Sequence, residues 1–182
     1  MTSNIPIIKT DRLSLSEICY SDVDSLVEIL KDLNLRRYYN IAPVATKSDV
    51  AKMIRSNDLL NAQGRGMRWG IRCKDSLIGS IGFDSISRPH RAALSFELSR
   101  KMWGQGYGAE AVQAVTEFGF QRMHLHRIEA YVLPGNQRSA KLLDKCGFSH
   151  EGTLVDVSYL FGKYHTQMVF ARISRESLYC EV

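Results

Sequence analysis

Between a predicted strand and a predicted helix the chain reads Trp103-Gly104-Gln105-Gly106-Tyr107-Gly108-Ala109-Glu110-Ala111. Glycine permits positive φ angles and lets the backbone approach a ligand closely. Amides at the start of a helix have no partner within the helix, and the helix dipole adds positive potential there. We therefore expect the glycine loop, residues 103–108, to form a cradle for phosphate groups. A turn that only packs the strand against the helix is the alternative.

The same glycines also match a dinucleotide-binding pattern. Gly104-x-Gly106-x-x-Ala109 follows G-x-G-x-x-G/A, and Glu129 lies 20 residues beyond Ala109. A dinucleotide-binding fold carries this loop after its first strand, whereas here the loop lies past the middle of the chain. Glu129 also falls inside a predicted strand rather than at its end. A dinucleotide-dependent oxidoreductase is therefore kept as an alternative.

Hydrophobic patterning on both sides of the loop predicts seven strands and four helices in the order β-α-α-β-β-β-α-β-α-β-β. The connection between Ser99 and Arg127 is long enough for a helix that makes the two flanking strands parallel. We expect a single domain over residues 1–182, since the length suits one domain. The predicted fold class is α+β, with a mixed, mostly antiparallel sheet of about seven strands.

A second ordered stretch covers residues 127–148, where a strand, the turn Pro134-Gly135, a helix and Gly147-Phe148 follow one another. Together with the glycine loop, this order resembles the GNAT superfamily of acyl-CoA-dependent N-acetyltransferases. The usual pyrophosphate motif of that superfamily is Q/R-x-x-G-x-G/A. Gly106 and Gly108 fill its two small positions, and Trp103 stands where Gln or Arg is usual.

Further segments resemble the RimJ/RimL-type branch of that superfamily, which includes acetyltransferases acting on the N-termini of ribosomal proteins. They are Thr10-Asp11-Arg12-Leu13, Leu94-Ser95-Phe96-Glu97-Leu98, Asn136-x-x-Ser139 and Glu151-Gly152-Thr153-Leu154. The resemblance extends over residues 8–173. It implies a GNAT-like sheet whose central parallel strands splay apart, with flanking helices, and a coenzyme A thioester in the gap.

The resemblance also implies which residues bind acetyl-CoA, the expected cosubstrate; no metal is expected. The pantetheine arm would pair with the backbone at the end of the first parallel strand, as an added strand pairs with a sheet edge. The pyrophosphate would bind the loop amides. The expected cofactor-binding residues are Leu98, Ser99, Gln105, Gly106, Tyr107, Gly108, Ala109, Asn136, Arg138 and Lys141. A helix N-cap is the alternative for Asn136, and a solvated surface is the alternative for Arg138 and Lys141.

Two residues are the catalytic candidates. Many family members protonate the leaving thiolate with a tyrosine, but Leu143 occupies that place here. Ser139 is therefore expected to stabilise the thiolate and donate the proton, with a hydrogen bond to the helix backbone as the alternative. Glu97 is expected to act as the base through water, with a salt bridge or an exposed strand position as the alternative.

Charge and composition restrict the partners. The net charge is +5, and residues 88–145 carry nine basic and five acidic residues, a net charge of +4. Because both halves of the expected coenzyme site lie there, the excess fits a phosphorylated cosubstrate, and no direct nucleic-acid binding is expected. The spacing of the four cysteines indicates neither a zinc cluster nor a disulfide framework. With no membrane span or secretory signal in the sequence, we expect a cytoplasmic protein.

We therefore expect an acetyl-CoA-dependent N-acetyltransferase that acts on a primary amine, with the N-terminal amine of a protein or peptide favoured. The alternatives are a small-molecule acceptor such as a polyamine, amino acid or antibiotic, the oxidoreductase above, and a non-catalytic acyl-CoA-binding module. The chain is expected to be a monomer or a homodimer.

Overall fold

An eight-stranded sheet forms the centre of the computed structural model, which describes residues 5–36, 38, 46–87, 90–160 and 162–174. The strands are β1 Ile8–Lys9, β2 Ser14–Ser16, β3 Met67–Cys73, β4 Ser76–Ser87, β5 Arg91–Leu98, β6 Arg127–Val132, β7 Ser149–Leu160 and β8 Lys163–Ile173. Their order is β1-β2-β3-β4-β5-β6-β8-β7, and every neighbouring pair is antiparallel except β5–β6. The predicted α+β fold with a mixed, mostly antiparallel sheet is confirmed.

The helices are α1 Val23–Leu30, α2 Leu33–Arg36, α3 Lys47–Ala62, α4 Tyr107–Met123 and α5 Gln137–Lys145. Short 3-10 turns precede α1, at Tyr20–Asp22, and α4, at Arg100–Met102. The first helix ends at Leu30, and Leu33, which begins α2, is 73% exposed. The strand β1, absent from the prediction, has only two residues and thus no alternation to detect.

The two faces of the sheet carry different helices. The larger hydrophobic cluster joins Trp69, Phe83 and Ile128 of the strands to Val112 of α4 and Leu143 of α5. A second cluster is formed mainly by α1 and α3, and it contains Leu26, Leu30, Val50 and Ile54.

Two consecutive residues of β3 show that these clusters lie on opposite faces. Trp69 belongs to the first cluster, whereas a Cβ on Gly70 would meet Ile18 of the second. Because successive strand residues point to opposite faces, α1 and α3 cover the face opposite α4 and α5. No helix among the described residues is long and apolar enough to cross a membrane.

The cysteines form no disulfide in the part of the chain that the structure describes. Cys19, Cys73 and Cys146 are free thiols, and Cys180 lies outside the described residues. Burial raises the pKa of Cys146, whose thiol lies between α5 and the first turn of α4, 3.6 Å from the carbonyl oxygen of Ala109. This thiol therefore packs as a small apolar group between the two helices.

Candidate active site

A gap opens between the two parallel strands. β5 and β6 pair only from Arg91↔Arg127 to Ala93↔Glu129, although β5 continues to Leu98 and β6 continues to Val132. Beyond these pairs the strands separate, which confirms the predicted splay. The backbone edges on either side of the gap are thus left without strand partners.

The backbone at the end of β5 determines which groups face this gap. The Ser99 amide donates to the Ile78 carbonyl oxygen at 2.7 Å, and so points towards β4. Because backbone groups of alternate strand residues point to opposite edges, the amides of Phe96 and Leu98 face the gap. Of the predicted cofactor-binding residues at the end of β5, Leu98 presents its amide to the gap and Ser99 does not.

The closed end of the gap is held by Glu129, which is 4% exposed. Its carboxylate accepts hydrogen bonds from Arg91 of β5 at 2.6 Å, from Arg127 at 2.5 Å and from the Tyr131 hydroxyl at 2.8 Å. Burial alone would raise the pKa of Glu129, but these hydrogen bonds and the Arg127 charge hold the pKa below its usual range. Glu129 therefore ties β6 to β5, and it lies within β6 rather than at the strand end that a ribose-binding acid requires.

The glycine loop leads directly into α4. Gly104 and Gly106 have φ angles of +75° and +86°, and Gly106 is the N-cap of the helix. A Cβ at Gly104 would meet nothing within 4 Å, whereas a Cβ at Gly106 would lie 3.1 Å from Nη2 of Arg12. Both glycines are needed for their backbone conformation, and Gly106 also for the space that Arg12 occupies.

Gly108 has a different reason to be glycine. A Cβ there would lie 2.8 Å from Cδ1 of Leu142 in α5, so the missing side chain allows α4 and α5 to approach closely. The sequence pattern predicted a small residue at this position for contact with phosphate. The structure adds a packing contact with the end of the Leu142 side chain, which the pattern alone did not reveal.

Trp103 connects the glycine loop to both sides of the gap. Its indole Nε1 donates to the Leu98 carbonyl oxygen at 2.7 Å, and the Arg138 guanidinium lies over its ring at 4.7 Å from the centroid. This arrangement is a cation–π contact. The residue that departs from the usual motif thus anchors the loop to β5 and holds Arg138 of α5 beside the loop.

Asn136 and Ser139 lie together at the start of α5. The Asn136 Oδ1 accepts a hydrogen bond from the Ser139 amide at 3.2 Å, so Asn136 is the N-cap of this helix. Ser139 is half-buried, and no described residue hydrogen-bonds its hydroxyl. The Ser139 hydroxyl is therefore available to a ligand, and Lys141, two residues further along α5, is exposed.

Glu97 lies in a buried polar cluster on the face of the sheet covered by α1 and α3. Its side chain is 1% exposed and forms an ion pair with Arg68 at 3.1 Å; it also accepts a hydrogen bond from the Ser80 hydroxyl. Arg68 also donates to Asp84, at 2.8 Å, and to the Ser95 hydroxyl. Sequence analysis missed Arg68. The signal that could have indicated the cluster is a polar residue within each of three neighbouring strands: Arg68 in β3, Ser80 in β4 and Glu97 in β5.

The described residues contain no group of three histidine, cysteine, aspartate or glutamate side chains placed to hold a metal ion.

Comparison with known proteins places this architecture among acetyltransferases. A family model described as an acetyltransferase (GNAT) domain matches residues 12–149. The chain is 35% identical over 170 residues to the uncharacterized N-acetyltransferase p20 of Bacillus licheniformis, covering 92% of this chain and 96% of that protein. It is 30% identical over 113 residues to the ribosomal protein uS5-alanine N-acetyltransferase of Escherichia coli, covering 60% of this chain and 58% of that one.

A solved structure shows the same fold with coenzyme bound. RimL, a ribosomal alpha-N-protein acetyltransferase in complex with coenzyme A, superposes with a TM-score of 0.84 and 26% sequence identity. The match covers 92% of this chain and 98% of the other.

Proposed function

This chain belongs to the GNAT acetyltransferase family and is an acetyl-CoA-dependent N-acetyltransferase, and we propose that its acceptor is the N-terminal amine of a protein or peptide. Two of the similar proteins, one of them matched over nearly the whole chain, are acetyltransferases of ribosomal proteins. The observation that carries the proposal is this likeness combined with the splayed β5–β6 pair, which opens beside the glycine loop.

The residues along the gap fit acetyl-CoA. The Leu98 amide faces the gap and can pair with the pantetheine arm, while the Leu98 carbonyl already accepts a hydrogen bond from Trp103. The amides from Gln105 to Ala109 surround the start of α4, where a helix favours an anion. Arg138 and Lys141 supply positive charge from α5. When bound, acetyl-CoA supplies the thioester whose acetyl group passes to the acceptor amine.

We assign Ser139 the proton that the leaving thiolate takes up. Its hydroxyl has no hydrogen-bond partner among the described residues, and its backbone amide donates to the N-cap Asn136. The hydroxyl is therefore held in position and still able to donate a hydrogen bond. A positioned general acid of this kind contributes about 10²–10⁴-fold to a reaction rate. Leu143, at the usual tyrosine position, is fully buried and carries no acid.

Ser139→Ala is expected to reduce turnover by about 10–100-fold without changing the affinity for coenzyme A, because only proton transfer to the thiolate is impaired. Single-turnover release of the coenzyme thiol measures the first quantity, and calorimetric titration with coenzyme A measures the second. Ser48→Ala is the matched control, since Ser48 also lies in the first turn of a helix, α3. Equal single-turnover rates for Ser139→Ala and the unchanged chain would remove Ser139 from the mechanism.

Glu97 remains the proposed base. Its carboxylate is buried and hydrogen-bonded to Arg68 and Ser80, so it would not contact the acceptor amine directly. A proton would have to reach it through water or through the hydroxyl groups of the cluster. Arg68 would then keep the carboxylate in place during that transfer.

A panel of amines tests the acceptor. The full chain is incubated with acetyl-CoA and either peptides with a free N-terminus, the same peptides with the N-terminus blocked, polyamines, free amino acids or aminoglycosides. We expect thiol release with the free peptides and none with the blocked ones, because the proposed acceptor is the N-terminal amine. Faster turnover with a polyamine, amino acid or aminoglycoside than with any peptide would assign a small-molecule acceptor instead.

A further inference from the structure

The segment Thr10-Asp11-Arg12-Leu13 reaches across the molecule to the first turn of α4. The carboxylate of Glu110 accepts hydrogen bonds from the Thr10 hydroxyl at 2.6 Å, from the Arg12 amide at 3.0 Å and from Arg12 Nε at 2.7 Å. Arg12 Nη2 forms an ion pair with the same carboxylate at 2.6 Å. Thr10 is itself held in a turn, because its hydroxyl also accepts from the Leu13 amide at 2.9 Å.

The same guanidinium lies against the glycine loop at three consecutive residues, Gln105, Gly106 and Tyr107. Arg12 Nη1 donates to the Gln105 carbonyl oxygen at 3.0 Å, and the guanidinium lies over the Tyr107 ring at 4.4 Å from its centroid. It also occupies the space that a Gly106 side chain would need. In a trans peptide the carbonyl and the following amide point in opposite directions. Fixing the Gln105 carbonyl on Arg12 therefore directs the Gly106 amide away from Arg12.

Arg12 also compensates a charge that is unfavourable for phosphate binding. Glu110 lies in the first turn of α4, close to the amides expected to meet the pyrophosphate. Burial alone would raise the pKa of Glu110, but hydrogen bonds from Thr10 and Arg12 and the Arg12 charge hold that pKa below its usual range. Without a cation beside it, the Glu110 carboxylate would repel a phosphate group bound at the start of α4.

We infer that Arg12 is a positioning residue for the coenzyme: it orients the Gln105–Gly106 peptide and neutralises Glu110, so that the glycine loop can bind the pyrophosphate. This inference rests on the proposed placement of the pyrophosphate on the glycine loop. The set of contacts from Thr10 and Arg12 to Gln105, Tyr107 and Glu110 is called the Arg12 clamp below.

The first test measures binding of coenzyme A to the full chain by calorimetric titration. Arg12→Ala is expected to raise the dissociation constant about 10-fold or more, because a charge-assisted contact and the neutralisation are both lost. Adding Glu110→Gln to Arg12→Ala should recover part of this loss, since the repelling carboxylate is gone. Arg12→Lys should fall between, because lysine keeps the charge but not the planar fork.

A control variant separates this role from general destabilisation. Arg72 forms a comparable ion pair with Asp22, at 2.7 Å, and ties the N-terminal segment to β3 on the sheet face opposite α4. Arg72→Ala should therefore lower stability while leaving the dissociation constant of coenzyme A within about 2-fold.

A truncated donor supplies the second readout. S-acetylpantetheine has the thioester but no pyrophosphate, so kcat/KM for it should be nearly equal in Arg12→Ala and the unchanged chain. For acetyl-CoA, kcat/KM should fall about 10-fold or more in the variant. A purely structural defect would reduce both values alike.

Two results would overturn the inference while leaving the proposed function intact: an unchanged dissociation constant in Arg12→Ala, or equal losses with acetyl-CoA and S-acetylpantetheine. Failure of the unchanged chain to bind coenzyme A would instead overturn the placement of the pyrophosphate, and the role of Arg12 with it.

Discussion

Arg68→Ala is expected to lower the free energy of unfolding by about 3–5 kcal/mol, because it leaves a buried carboxylate without its cation. The side chains of Arg68 and Glu97 are 6% and 1% exposed, so little solvent can take the place of the lost partner. The Ser95 hydroxyl and Asp84 lose the same donor. Urea denaturation of the variant and the unchanged chain, with equal m-values, measures the difference.

Two controls show whether burial causes this loss. Lys47→Ala removes an ion pair with Asp24 in which both side chains are 72% exposed, and it should change stability by only about 0–1 kcal/mol. Replacing the buried pair together, by Arg68→Met with Glu97→Leu, should recover most of the loss, since apolar substitutes for a buried pair are often tolerated. A loss in Arg68→Ala no larger than that in Lys47→Ala would contradict the prediction.

Gly106→Val is expected to weaken coenzyme A binding by about 100-fold or more, since hydrogen bonds from backbone amides to a charged phosphate are worth about 1.5–3 kcal/mol each and more than one would be disturbed. Gly106 has a φ of +86°, which a β-branched residue adopts only under strain. The new Cβ would also press on Arg12 Nη2, 3.1 Å away, and so disturb the Arg12 clamp. Calorimetric titration with coenzyme A measures the affinity.

Gly64→Val is the matched control for backbone strain. Gly64 has a φ of +63° and open space where a side chain would start, and it lies just beyond α3, far along the chain from the glycine loop. It should lose stability through the same conformational strain, yet bind coenzyme A normally. If Gly106→Val bound coenzyme A as tightly as Gly64→Val, the glycine loop would not be the pyrophosphate site.

Local patterns predicted much of the fold. Apolar residues alternate with other residues from Met67 to Cys73, a pattern typical of a strand, and β3 occupies this range. The spacing of Thr46 and Asp49 is typical of a helix start, and in the structure each side chain accepts a hydrogen bond from the backbone amide of the other at the start of α3. These features depend on residues close together in the chain. The hydrogen bonds of the cap, for example, form between neighbouring residues regardless of what the helix packs against. The parallel pair could be predicted as well, because a long helical connection between two strands imposes that direction.

Parts of the candidate site also follow from local sequence. Asn136 was a predicted N-cap as well as a predicted coenzyme ligand, and the structure shows the cap. The glycine loop enters α4 where the spacing of its glycines placed it. The roles of Ser139 and Glu97 in catalysis stay predictions.

The sequence alone therefore predicted seven of the eight strands, the glycine loop and the capped turn that begins α5. Only the tertiary structure brought Arg12 to Glu110, which lies 98 residues away, and Arg68 to Glu97 across three strands. In the structure the Ser99 amide hydrogen-bonds to β4, and Gly108 leaves room for the Leu142 side chain of α5. These contacts depend on strand register and on how closely the helices approach, and both are set by many residues that are distant in the chain. Caps and turns depend only on a few adjacent residues, so they can be predicted from the sequence.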